Sequence, residues 1–103
     1  MKHMITWHER PMGSPKDYED AHHRILNVFK NWKCPASMKI IEFVIRVGEW
    51  GGFMLVETDD AAAMHKFTTT FPSFTFHVDQ VINVQDAVTA ELEAMASRDA
   101  VPY

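Results

Sequence analysis

An α+β fold, a four-stranded antiparallel sheet with helices packed on one face, is predicted for this chain by three observations. The first is Met38 to Asp60, two apolar runs rich in β-branched and aromatic residues folded around Gly48-Glu49-Trp50-Gly51-Gly52. The three glycines supply the backbone freedom a tight reversal needs, so the segment reads as a central β-hairpin. The second is a three-and-four apolar spacing before and after the hairpin, which marks one helix on each side. The third is a pair of alternating outer segments, Lys2–His8 and Ser73–Val84, which read as strands.

Each element has its own signals. Lys2–His8 is short and closes at Arg10-Pro11-Met12-Gly13. Ser14-Pro15-Lys16-Asp17 starts a helix, with a capping hydroxyl, proline at the first helical position and a carboxylate three residues after the cap. That helix turns Tyr18, Ala21, Ile25, Val28, Phe29 and Trp32 inward and ends before Pro35, because the residue preceding proline leaves helical geometry. The hairpin strands run Met38–Val47 and Phe53–Thr58. Thr58-Asp59-Asp60 offers capping oxygens to a second helix, Ala61–Phe71, which Pro72 stops; Thr68-Thr69-Thr70 weakens its last turn. Asn83 or Gln85-Asp86 leads into a last helix carrying Val88, Leu92 and Met95 on one face. Residues 98–103 read as a loose tail of a single domain spanning 1–103.

The order strand, helix, strand, strand, helix, strand, plus a C-terminal helix, restricts the fold to a ferredoxin-like βαββαβ arrangement. The second sheet face then lacks cover, and pairing two sheets into a barrel would supply it, so a homodimer is expected. In Met4-Ile5-Thr6-Trp7, Gly48 to Gly52 and Leu55-Val56-Glu57-Thr58-Asp59-Asp60 the chain resembles the dimeric α/β-barrel superfamily. More narrowly it resembles the family catalogued as domain of unknown function 3303. The resemblance implies fold and dimerisation. It assigns no chemistry, since the superfamily spans cofactor-free monooxygenases, lactone isomerases, haem-handling enzymes and plain binders.

Composition excludes several classes. The chain has 103 residues, 47% hydrophobic and 23% charged, with a formal net charge of −4. An acidic chain without a basic run has no electrostatic footprint for nucleic acid or anionic membrane. No apolar run approaches the roughly 20 residues that span a bilayer. Trp7, His8 and Glu9 stand where a secretory leader would be apolar, and Cys34 is the only cysteine, so a cytoplasmic location is expected.

Candidate chemistry follows from strand parity. Phe43, Ile45 and Val47 share the helix-packed face, and Glu42, Val44 and Arg46 share the other. A turn centred on Glu49-Trp50 sets Arg46 near Phe53 and Glu42 near Glu57, on a register that a slip of one residue would overturn. That second face, apolar with three ionisable groups, has the composition of a small-molecule cavity inside a barrel. Two carboxylates facing each other there would resist ionising together, and Arg46 would pair with one or bind an anionic group. The same three charges serve equally as an interface salt-bridge network. Among six histidines, His8 and His77 lie on neighbouring strands, sharing a face with Thr6 and Thr75. With Asp79 or Glu57 orienting one ring they form a candidate acid/base pair. His22 and His23 point about 100° apart on a helix and read as solvated.

No zinc spacing, phosphate loop, dinucleotide fingerprint or serine-hydrolase elbow is present, so no cofactor or metal is expected. Haem enters only by superfamily analogy, through His77 or His65. The expected function is binding of an apolar or aromatic metabolite in a cavity between sheet and helices. If catalysis accompanies it, the expectation is cofactor-independent proton transfer or oxygenation, with His8 or His77 as base and Arg46 or Glu57 polarising the substrate. Thr6, Glu42, Phe53 and Trp50 are the expected ligand contacts, Trp50 being either a pocket lid or a dimer anchor. The competing class is a non-catalytic binding or assembly module whose polar groups serve the interface.

Overall fold

In a computed structural model describing residues 1–102, the elements are β1 (Lys2–Glu9), α1 (Pro15–Asn31), β2 (Met38–Ile45), β3 (Gly52–Thr58), α2 (Ala61–Thr70), β4 (Phe74–Val81) and α3 (Val84–Asp99). The four strands form one sheet of order β2-β3-β1-β4, with every neighbouring pair antiparallel. This is the ferredoxin-like α+β arrangement expected from the element order.

One face of the sheet carries the core. Ile5, Met54 and Val56 are fully buried there, beside Trp7, Met38 and Phe74, with Ile25 from α1, Phe67 from α2 and Phe71 just past its end packed above them. Burying each such side chain contributes about 1.5–3 kcal/mol. Alternation sends Lys2, Met4, Thr6 and His8 of β1 to the opposite face, opposed across β3 by Glu57, Leu55 and Phe53.

Helix α1 begins as its sequence dictates. The Ser14 side chain accepts from the Asp17 amide, and the Asp17 carboxylate accepts from the Ser14 amide at 3.1 Å, a reciprocal capping box ahead of Pro15. Asp60 caps α2 by accepting from the Ala63 amide at 3.0 Å. The threonine run does not break α2: Thr68, Thr69 and Thr70 donate their hydroxyls back to the carbonyls of His65 and Lys66.

Two expectations about register and boundaries are corrected. The hairpin closes at Arg46, whose amide donates to the Gly51 carbonyl at 2.9 Å, so Val44 rather than Arg46 stands opposite Phe53. Glu42 then opposes Leu55, two residues from the expected Glu57, and a two-residue offset leaves Glu42, Phe43, Val44 and Ile45 on their expected faces, whereas Val47, expected on the helix-packed face, is exposed in the turn. A bulge between Ile40 and Glu42 adds one further residue and places Lys39 opposite Glu57. The facing pair of carboxylates is therefore not formed. At the C-terminus, Arg98 and Asp99 of the expected tail are the last residues of α3, which Ala100 caps; Tyr103 lies outside the described residues.

Helix α3 does not join the core. None of its residues is buried, and Val84, Val88, Leu92 and Met95 are all exposed along it. The described chain extends 63 × 32 × 22 Å. Among the described residues no helix is long and apolar enough to cross a membrane.

Replacing the α1 cap, Ser14→Ala, is expected to lower unfolding stability by about 1 kcal/mol. Urea denaturation would show this as a lower midpoint at unchanged slope, and an unaltered midpoint would contradict the capping role.

Candidate functional site

Between the sheet and the two packed helices lies a cavity of about 470 Å³. Its floor is Trp7 of β1 with Phe74 and Phe76 of β4; its walls are Phe43 of β2 and Phe29 of α1. The rings meet mostly edge-on, as Trp7 against Phe43 at 5.6 Å and Phe29 against Phe43 at 5.7 Å between centroids. Gly52, opposite Trp7 on β3, adds no side chain on this face. Leu26, Phe29, Phe43 and Ile45 keep between 37% and 56% of their surface in solvent, so the mouth is apolar and open.

The β2–β3 turn closes one end. Gly51 is pressed onto β1, where an added Cβ would fall 2.5 Å from the Trp7 carbonyl oxygen, so only glycine fits. Trp50 folds back towards α1, lines the cavity and stacks on His22, with centroids 3.8 Å apart and planes within 8°. His22 Nε2 lies 2.6 Å from a Glu9 carboxylate oxygen, and both side chains are largely buried. His22 is thus tied in rather than solvated, contrary to the reading of the His22-His23 pair. The signal was present: Glu9 shares the inward parity of Ile5 and Trp7, and His22 stands one turn before Ile25. A carboxylate facing the helices needs a partner there.

Glu49 is the charged residue that lines the cavity. Its carboxylate reaches His8 Nδ1 at 2.8 Å and Arg46 Nε at 3.3 Å. The hydrogen bond to His8, aided by the Arg46 charge, holds the Glu49 carboxyl below its ordinary value of 4.5. Arg46 also donates to the Trp7 carbonyl, approaches His8 Nδ1 at 3.0 Å, and sits 4.7 Å above the Phe53 ring. His8 Nδ1 donates to Glu49 when protonated and accepts from Arg46 when bare. Its Nε2 stays free.

The expected site residues therefore separate. His8 and Arg46 meet, joined by Glu49, which sequence reasoning did not nominate. Thr6, His77, Glu42, Phe53 and Glu57 lie with His8 on the sheet face opposite the aromatic cavity. Thr6 rather than His8 stands opposite His77, whose Nε2 is 3.5 Å from Asp79. Glu57 accepts from the Met1 amino group at 3.0 Å, away from both Arg46 and Glu42. Of the expected ligand contacts, Trp50 lines the cavity. Among the described residues no three His, Cys, Asp or Glu side chains converge as a metal-holding group.

Because the Glu49 carboxyl is lowered on folding, its stabilisation is complete above the unfolded value of 4.5 and is lost as pH falls through the folded value. Denaturation midpoints are expected to drop as pH falls below 4.5, and Glu49→Gln to flatten that drop. Asp60, held low by the Ala63 amide and the Ser37 hydroxyl, adds to the same drop. An identical pH slope in Glu49→Gln would show that the His8–Glu49 contact does not form in solution.

No curated protein matches the chain in sequence. Among solved structures it is similar to muconolactone isomerase, at 10% identity and a TM-score of 0.55, over 81% of this chain and 90% of that one. At that identity the likeness shows the fold alone. The family described as domain of unknown function DUF3303 matches residues 1–95. The match covers most of the chain, which therefore belongs to the DUF3303 family, and its fold is the ferredoxin-like α+β arrangement.

Proposed function

We propose that this protein binds a small apolar or aromatic molecule in the cavity between its sheet and helices. The observation that carries the reading is the lining: eight aromatic side chains around about 470 Å³, with charge confined to Glu49 at the turn. A cavity of that volume takes a one- or two-ring molecule. Its open, apolar mouth gives such a molecule surface to cover.

Binding is favoured over proton-transfer catalysis by the chemistry of Glu49. An efficient general base has a pKa near the working pH, and His8 and Arg46 push this carboxylate the other way. Glu49 accepts a hydrogen bond from a ligand hydroxyl or amine better than it abstracts a proton. His8 and His77 lie on the far side of the sheet and do not line this cavity.

A second reading rests on that far side. Val44 and Phe53 are 45% and 38% exposed on a face that also carries Thr6, His8 and His77. Apolar exposure of this kind on an uncovered sheet supports a homodimer that closes two sheets into a barrel. In such a dimer Arg46, Glu42 and Glu57 would serve the interface, and His8 and His77 would lie within the barrel. Proton-transfer or oxygenation chemistry, if any, belongs there.

Two measurements test these readings. Titration with 1-naphthol is expected to quench tryptophan emission saturably. Ile45→Asp, at the exposed mouth, is expected to weaken that binding at least about tenfold, or 1.4 kcal/mol. Equal affinity in the variant would overturn the cavity assignment. Sedimentation analysis is expected to give a dimer that Phe53→Glu converts to monomer. A monomeric parent chain would overturn the barrel.

A further inference from the structure

A second crevice, of about 560 Å³, opens between α1 and α2 and shares only Phe67 with the aromatic cavity. Its chemistry is the reverse. Arg24, Lys33 and Lys66 converge on it, joined by the amides of Asn27 and Asn31, and no carboxylate lines it. The spacing explains the convergence: Arg24, Asn27 and Asn31 fall on one face of α1, and Lys66 and Thr70 on the facing side of α2. Beneath them the Trp32 and Phe67 rings lie 5.1 Å apart and give the crevice an aromatic wall.

The concentration of charge is unusual for this chain. It carries fourteen acidic and ten basic residues, yet three of the ten meet here. Among the described residues none of the three is in an ion pair, whereas Lys16 takes Asp20 at 2.7 Å and Arg46 takes Glu49 at 3.3 Å. Three like charges around one groove repel one another, and an anion between them relieves that repulsion.

We propose that the α1–α2 crevice is a binding site for a small phosphorylated aromatic molecule. A carboxylate brings one negative charge, whereas a phosphate monoester brings about −1.5 to −2 and three strong acceptor oxygens, matching three cations. Asn27 supplies a donor beside the phosphate, as does the second amide hydrogen of Asn31, whose first goes to the Asn27 carbonyl at 2.8 Å, and the aromatic portion packs against Trp32. This site is independent of the aromatic cavity, which has no cation among its lining residues.

The test is an amide and indole NMR titration of the whole chain with phenyl phosphate, inorganic phosphate and phenol as separate probes. Phenyl phosphate is expected to shift the Asn27, Asn31, Lys66 and Thr70 amides and the Trp32 indole saturably. It is expected to bind about tenfold tighter than either inorganic phosphate or phenol and to weaken as salt is raised. Lys33→Gln with Lys66→Gln is expected to weaken it at least about tenfold while the remaining spectrum is retained. Should the double variant lose its dispersion, Arg24→Gln, a single exposed change, gives the same comparison. Shifts scattered over the surface, equal affinity in the variants, or inorganic phosphate binding as tightly as phenyl phosphate would overturn the proposal.

Discussion

The structure turns on the pairing of Trp7 with Gly52 in the middle of the sheet. An indole on the inner face of a central strand needs room, and a glycine beside it provides that room. Phe43, Phe74 and Phe76 pack round the indole. A Cβ on Gly52 would collide with the Val44 carbonyl oxygen, so β2 approaches β3 too closely for any larger residue. The adjacent Gly51 lets the turn press onto the Trp7 carbonyl, which Arg46 also binds. One residue thus fixes the floor of the cavity, the seat of the turn and the anchor of the guanidinium on the other face.

That anchoring links two environments that sheet geometry would keep apart. Side chains alternate faces, so an aromatic cavity and a charged cluster on one strand normally do not communicate. The turn breaks this rule because it wraps round the end of the sheet. Glu49 lines the cavity yet bonds His8, whose strand position is on the opposite side. Glu49 thus touches both environments at once.

Much of this was legible in the sequence, for reasons that differ between elements. Ser14-Pro15-Lys16-Asp17 announced α1 because capping is local chemistry, complete within four residues. The faces of Phe43, Glu42, Phe53 and Glu57 were legible because parity survives an even offset in register. The offset itself was not, since it depends on where the turn closes and on a bulge between Ile40 and Glu42. Strand parity set the polar contacts on the second sheet face, inside a barrel, whereas the cavity lies on the helix-packed face. Expectation placed charges from strand interiors beside the ligand, whereas Glu49 comes from the turn. Parity turned Glu9 inward and helical spacing brought His22 towards it, but nothing within either element showed that Trp50 of the turn would stack on that ring.

The exposed last helix has a consequence for how the molecule holds together. A chain of this length packed as a ball has a radius of gyration of roughly 13 Å, whereas this one measures 18.6 Å. The excess is α3, moored to the body at its start by Lys2 Nζ on the Asn83 side chain at 2.7 Å. A sixteen-residue helix without tertiary support is marginal in water. Without core contacts of its own in the single chain, α3 is expected to lose its amide protection ahead of the sheet and the two packed helices.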